Sequence, residues 1–145
     1  MKISAKNEYA CIAMIELASQ YGSGQPVRIR TIAERHGVPP RFLVQILLQL
    51  KGAGLVASTR GAAGGYHLIK PPEDVSLGEV MEVIEGTNED SVQSTTNAAP
   101  DSPAVKVLVQ TWKRVGMAQR DLLRAISIAE LLEKAKSQAE QMYYI

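Results

Sequence analysis

Arg60 opens a glycine-rich tip, Gly61-Ala62-Ala63-Gly64-Gly65, between two short apolar runs, Gly54 to Ser58 and Tyr66 to Ile69. Two such runs around a glycine-rich turn read as a β-hairpin, here with a basic tip. A guanidinium held on a narrow hairpin suits the electronegative minor groove or the phosphate backbone of a nucleic acid. Covalent catalysis lacks its constellations in this chain. There is no Ser-His-Asp order with elbow glycines, no phosphate loop and no metal-ligand spacing. The chain is therefore not expected to be an enzyme.

The elements around the tip determine how it is presented. Ala10, Ala13, Met14, Leu17, Ala18 and Tyr21 recur at helical spacing from Ala5 to Tyr21, with Ser4 as a cap and Gly22 to Pro26 as the closing turn. Ile29, Ile32 and Ala33 mark a short second helix closed by Gly37, with Arg28 at the position where Ser or Thr caps best. Pro40 opens a third helix whose buried stripe is Phe42, Leu43, Ile46, Leu47 and Leu50. Two helices around a glycine turn, followed by a glycine-tipped hairpin, describe a winged helix-turn-helix. One helix of that arrangement reads the major groove of DNA, and the hairpin reaches the minor groove or backbone. Pro71-Pro72 stops the second strand.

Beyond the hairpin, Ser76-Leu77-Gly78-Glu79 is a capping box that opens a short helix ending at Gly86. Residues 87–101 are polar and aperiodic, a length that marks a functional or disordered loop. Ser102-Pro103 starts a long helix with Val105, Leu108, Val109, Trp112, Val115, Leu122, Leu123 and Ile126 on its apolar face. Ser127 to Glu130 forms a second capping box for a closing helix. The long helix has no cover of its own, and an exposed apolar stripe usually marks association. A two-fold homodimer is expected, with those eight residues at its interface and two DNA-reading units set for a palindromic operator. The expected fold class is mostly α with a small β-hairpin wing. Its organisation is a DNA-binding domain over 1–72, a connecting helix over 73–86, a flexible sensory-type loop over 87–101, a dimerisation and closing helix over 102–137 and a tail over 138–145.

Charge separates along the chain. Residues 1–70 hold nine Lys/Arg against three Asp/Glu, a balance of +6, and residues 71–145 hold seven against twelve, a balance of −5. The basic half points to a polyanion and the acidic half away from it. A module whose acidic half binds another protein in place of DNA is the competing class. It would leave Arg41 and Arg60 dispensable. Cys11 is the only cysteine, so no disulfide within one chain and no cysteine-rich metal site is available. Its apolar neighbours Ala10, Ile12, Met14 and Ile15 read it as a buried small hydrophobe. No apolar run reaches membrane-spanning length and no signal-peptide core follows Met1, so a cytoplasmic, non-membrane protein is expected.

Several stretches together resemble the bacterial winged-helix transcription regulators of the family that includes IscR, NsrR and CymR. They are Met1 to Ser4 with Tyr9-Ala10, Ile32 to Val38, Leu55-Val56, Arg60 to Tyr66 and Leu77 to Val80. The resemblance spans roughly residues 1–135 and implies homodimeric regulators, mostly repressors, on palindromic operators. It implies that the third helix, about 40–51, reads DNA through Pro40, Arg41, Val44 and Gln45, arginine donating to guanine or phosphate and glutamine pairing with adenine. It implies Arg60 in the minor groove, and Gly64 and Gly65 giving close backbone approach and positive φ. Tyr66 would support the wing or reach a phosphate, and Arg28 and Arg30 would contact phosphates. Two departures stand out. Many sensing members hold an iron–sulfur cluster on three cysteines in the loop before the long helix, whereas residues 87–101 contain neither Cys nor His. No cofactor is therefore expected, and any effector would be a small molecule or a partner protein acting through that loop and Gly86. Asn7-Glu8 also replaces the family's usual Gly-Arg before Tyr-Ala, which weakens any phosphate contact from the first helix.

Overall fold

The computed structural model describes residues 1–86, 99 and 101–142. Residues 10–15 are apolar without interruption, so the first helix, α1 (Ala5–Ser19), has no fully polar face over these turns and must be covered on several sides. Ala10, Ala13, Met14 and Leu17 are buried, and α1 packs against helices α2 (Ile29–His36), α3 (Pro40–Gly52), α4 (Leu77–Glu85) and α6 (Ile128–Met142). Alanine at two of those four positions leaves room for close helix approach. Ser4 caps α1 by accepting from the Asn7 amide at 3.1 Å, and its hydroxyl donates to Glu85 Oε1 at 2.6 Å, joining the start of α1 to the end of α4.

Helix α2 ends at Gly37, whose φ of 67° supplies the left-handed turn into α3. Leu43, Ile46, Leu47 and Leu50 face α3 inward, and Phe42 is only half-buried, its ring 5.6 Å from that of Tyr9. The antiparallel hairpin of β1 (Val56–Thr59) and β2 (Gly65–Leu68) pairs Val56 with Leu68 and Thr59 with Gly65. A third stretch of backbone joins it. Val27 exchanges both amide hydrogen bonds with Tyr66 at 2.8 Å each, so the wing is stitched to the turn before α2.

Helix α5 (Pro103–Ala125) runs beside α4, and its end turns sharply into α6. At that corner Leu77 donates to the Ile126 carbonyl and Ile128 donates to the Val75 carbonyl, both at 2.8 Å. The Ser76 and Ser127 hydroxyls accept from Glu79 and Glu130 at 3.0 Å each, as the two capping boxes require. Ile128 is fully buried in the same core as Met14, Val75 and Val80.

Three expectations change. The helix over 73–86 is not a mere connector, because Val80 and Ile84 enter the core and α4 lies directly on α1. The closing helix does not end at 137. It continues to Met142 through Ser137-Gln138-Ala139-Glu140-Gln141, where Ala, Gln and Glu are strong helix formers. The first helix ends at Ser19, and Gln20 and Tyr21 form its closing turn by donating to the Leu17 and Ala18 carbonyls. Most of the 87–101 loop lies outside the described residues, as do 143–145 of the tail.

Because α6 shares the core, Ile128→Ala is expected to lower unfolding free energy by about 2–5 kcal/mol while keeping a single transition. Urea denaturation followed by far-ultraviolet circular dichroism measures both.

Candidate nucleic-acid interface

The outward face of α3 carries Pro40, Arg41, Val44, Gln45, Leu48 and Lys51, all exposed, and α3 contains no acidic residue. Arg41 lies with its guanidinium carbon 5.2 Å from the centre of the neighbouring Phe42 ring, which holds the charge at the first turn of the helix. Lys51 donates to Ser58 Oγ on β1 at 2.7 Å, so the wing flanks this face. Strand β1 thus adjoins the C-terminal end of this face, and Arg60 stands directly after β1 at the hairpin tip. Arg60 has no hydrogen-bond or ion-pair partner among the described residues and is exposed.

The other two candidate arginines are occupied. Arg28 stands at the cap position of α2 without capping it, and its guanidinium donates to the Ala62 carbonyl at the wing tip. An arginine that looked misplaced for helix formation is therefore a strut between the helix-turn-helix and the wing. Arg30 Nε donates to Glu34 Oε1 at 2.8 Å, one turn along α2, so its charge is shared with a carboxylate. Arg35 and the buried Glu16 of α1 form a third pair at 2.7 Å that anchors α2 on the core.

The two glycines of the wing have a different role from the one their type implied. Neither Gly64 nor Gly65 has positive φ; in this turn that conformation belongs to Gly61, at 105°. Gly64 is glycine because a Cβ there would overlap the Thr59 carbonyl oxygen across the turn. Gly65 is glycine because a Cβ would overlap the Val27 carbonyl oxygen, in the bridge that binds the wing to the body. Tyr66 is half-buried and its backbone makes that bridge. Leu48 belongs to the α3 face but was missed. It stands outside the buried stripe, one turn after Val44, and only that displacement marked it.

Seven of the eight apolar positions lie on α5 and divide between two faces, whereas Ile126, expected on the long helix, is extended and ends it at the corner into α6. Val105, Val109, Leu123 and Ile126 are half-buried, and Leu123 and Ile126 meet the molecule's own α4. There Gly78 approaches so closely that an added Cβ would sit 3.1 Å from the Leu123 and Arg124 backbone. Arg124 also pairs with Glu82 of α4 at 2.7 Å. Leu108, Trp112, Val115 and Leu122 are exposed, together with Val107 and Met117. Leu108, Val115 and Leu122 repeat every seventh residue, with Ala104, Thr111, Ala118 and Ala125 interleaved, all exposed. That is the spacing of a two-helix seam.

A helix-turn-helix whose third helix bears a basic outward face, beside a braced, arginine-tipped hairpin, defines a winged helix-turn-helix protein. The model of the family Rrf2, iron-dependent transcriptional regulator, matches residues 3–134. The chain is 33% identical over 146 residues to the HTH-type transcriptional regulator CymR of Bacillus subtilis, covering 100% of both chains. Among solved structures, CymR of B. subtilis, described as its global cysteine regulator, superposes with a TM-score of 0.79 at 30% identity, covering 92% of this chain and 98% of that one. IscR of T. potens superposes with a TM-score of 0.74 at 34% identity, covering 93% and 88%. The chain belongs to the Rrf2 family of transcriptional regulators, and it is a DNA-binding regulator, not an enzyme.

The family's description names iron, and the chain offers a single cysteine for an iron–sulfur site. Among the described residues no three of His, Cys, Asp and Glu cluster as metal ligands. Cys11 is half-buried in α1, where burial first and the Glu8 charge second push its thiol up to about 11, the wrong direction for a thiolate ligand. His36 closes α2 and His67 lies on β2. No helix among the described residues is long and apolar enough to cross a membrane.

Gly65→Ala is expected to force β2 away from Val27, break the paired amide bonds and lower stability by about 1–3 kcal/mol. Thermal unfolding, with hydrogen exchange at the Val27 and Tyr66 amides, tests it. Unchanged protection at those amides would refute the account.

Proposed function

We propose that two copies pair through α5 and bind a palindromic operator as a transcriptional repressor. The observation that carries this reading is the exposed seam of Leu108, Val115 and Leu122 on the same chain as the exposed Arg60 of the wing, which has no partner among the described residues. A seam of leucine and valine alternating with alanine and threonine is stable in water only when covered, and a second copy presents the same row. Pairing sets two α3 helices about one DNA turn apart, as a two-fold operator demands. Pro40, Arg41, Val44 and Gln45 then enter the major groove, and Arg60 enters the minor groove, where its charge meets the strongest negative potential. Arg30 reaches phosphate only by leaving Glu34, and Arg28 acts by holding the wing. Occupancy of the operator excludes the transcription machinery. The protein works without an iron–sulfur cluster, in the compartment that holds the DNA. A small molecule or partner protein relieves binding through loop 87–101.

Leu108→Glu with Leu122→Glu is expected to convert a dimer into a folded monomer in sedimentation velocity. Operator affinity should fall by roughly a hundredfold or more as the second attachment is lost. Dimeric behaviour in that variant would remove α5 as the pairing element. Arg60→Ala is expected to weaken binding to the protein's own promoter DNA by about 1–3 kcal/mol. Fluorescence anisotropy at two salt concentrations reads it, and unchanged affinity would show that the wing does not touch DNA.

A further inference from the structure

The centre of the outward α3 face is apolar. Val44 is 45% exposed and Leu48 56% exposed, one helical turn apart, with Pro40 and Lys51 on one flank and Arg41 and Gln45 on the other. Such a ridge is unfavourable in water, and the core has no place for it, since Leu43, Ile46, Leu47 and Leu50 already fill the inward face. Its surroundings select the occupant. Arg41 and Lys51 border the ridge, Arg60 projects from the adjoining wing, and α3 carries no carboxylate, so the surface repels a basic partner and attracts a polyanion. The apolar group that a polyanionic duplex displays in its major groove is the C5-methyl of thymine.

We infer that Val44 and Leu48 read thymine methyl groups, so that each operator half-site places two methyl-bearing pyrimidines under the middle of α3. The inference rests on the operator-binding reading above and adds what the operator must contain. Side chains one turn apart on a helix have Cβ atoms about 5–6 Å from each other. Base pairs rise about 3.4 Å each. The two methyls therefore fall within about two base-pair steps. Arg41 and Gln45, beside the ridge, take hydrogen-bonding edges next to them. Leu48 is thus a specificity residue that adds no charge and no hydrogen bond, and Val44 shares that role.

The test uses the full chain and a pool of random-sequence duplexes. The pool is selected for binding, and the recovered consensus is then synthesised twice, once with thymidine and once with deoxyuridine, which lacks only the methyl. The wild-type protein is expected to bind the deoxyuridine duplex at least about fourfold more weakly for each methyl buried. Val44→Ser with Leu48→Ser, both at exposed positions, is expected to bind the two duplexes equally while keeping the wild-type circular dichroism spectrum. Leu48→Ser alone should lose part of the discrimination. Three results overturn the inference and leave the DNA reading standing. They are a consensus without thymine, equal wild-type affinity for the two duplexes, and full discrimination retained by the double variant. Failure of the wild-type protein to select any duplex would overturn the operator reading itself, and this inference with it.

Discussion

Everything else in this molecule depends on the burial of α1. A helix that is apolar through residues 10–15 is unstable alone in water, and full burial of a side chain such as Met14 or Leu17 stabilises the fold by about 1.5–3 kcal/mol. Covering it recruits elements from both ends of the chain, α3 from the DNA-reading half and α4 and α6 from the acidic half. Ala10 and Ala13, one turn apart on the same side of α1, allow that close approach. The consequence is mechanical. Helix α3 and the helices α4 and α6 that frame the corner into α5 pack on the same helix, so the two halves of the chain are joined by packed side chains and not by a linker alone.

A second constraint acts on the wing. A two-stranded hairpin is marginal in water, and this one carries Arg60 exposed at its tip. The Val27–Tyr66 bridge, the Arg28 strut to Ala62 and the Lys51 bond to Ser58 supply the missing order. All three arise from segments that the hairpin does not contain. The same arrangement explains why the basic half of the chain offers fewer free cations than its formal charge indicates. Arg28, Arg30 and Arg35 have partners within the molecule, whereas Arg60 has none among the described residues. Glu16, buried yet paired with Arg35, shows the reverse case of a carboxylate retained in the basic half to seat α2.

Much of this was legible because it is written in local chemistry. Ser4, Ser76 and Ser127 announce helix starts, and each hydroxyl accepts from the amide three residues on. Gly37 announces a left-handed turn and has one. The stripe of Leu43, Ile46, Leu47 and Leu50 follows the helical period and lies inward. Where the reading failed, the deciding neighbour was distant in sequence. The positive φ expected of Gly64 and Gly65 is absent, and the close approach that requires Gly65 is to a backbone 38 positions earlier, at Val27. Leu123 and Ile126 share the period of the seam, and only the position of α4 shows that they face inward to it.

The sequence by itself determined the order of elements, the buried stripe of α3, the hairpin and its arginine, and the presence of an apolar stripe on the long helix. Each of these follows from spacing and capping within a few residues. Tertiary structure alone decided which arginines find partners among the described residues, why the wing needs two adjacent glycines, which half of the α5 stripe is left over, and that Val44 and Leu48 form an apolar ridge on the outward face of α3. The physical reason is the same for all four. A hydrogen-bond partner, a steric overlap or a covered surface is a relation between segments far apart in the chain, and it exists only once α1 has drawn those segments together.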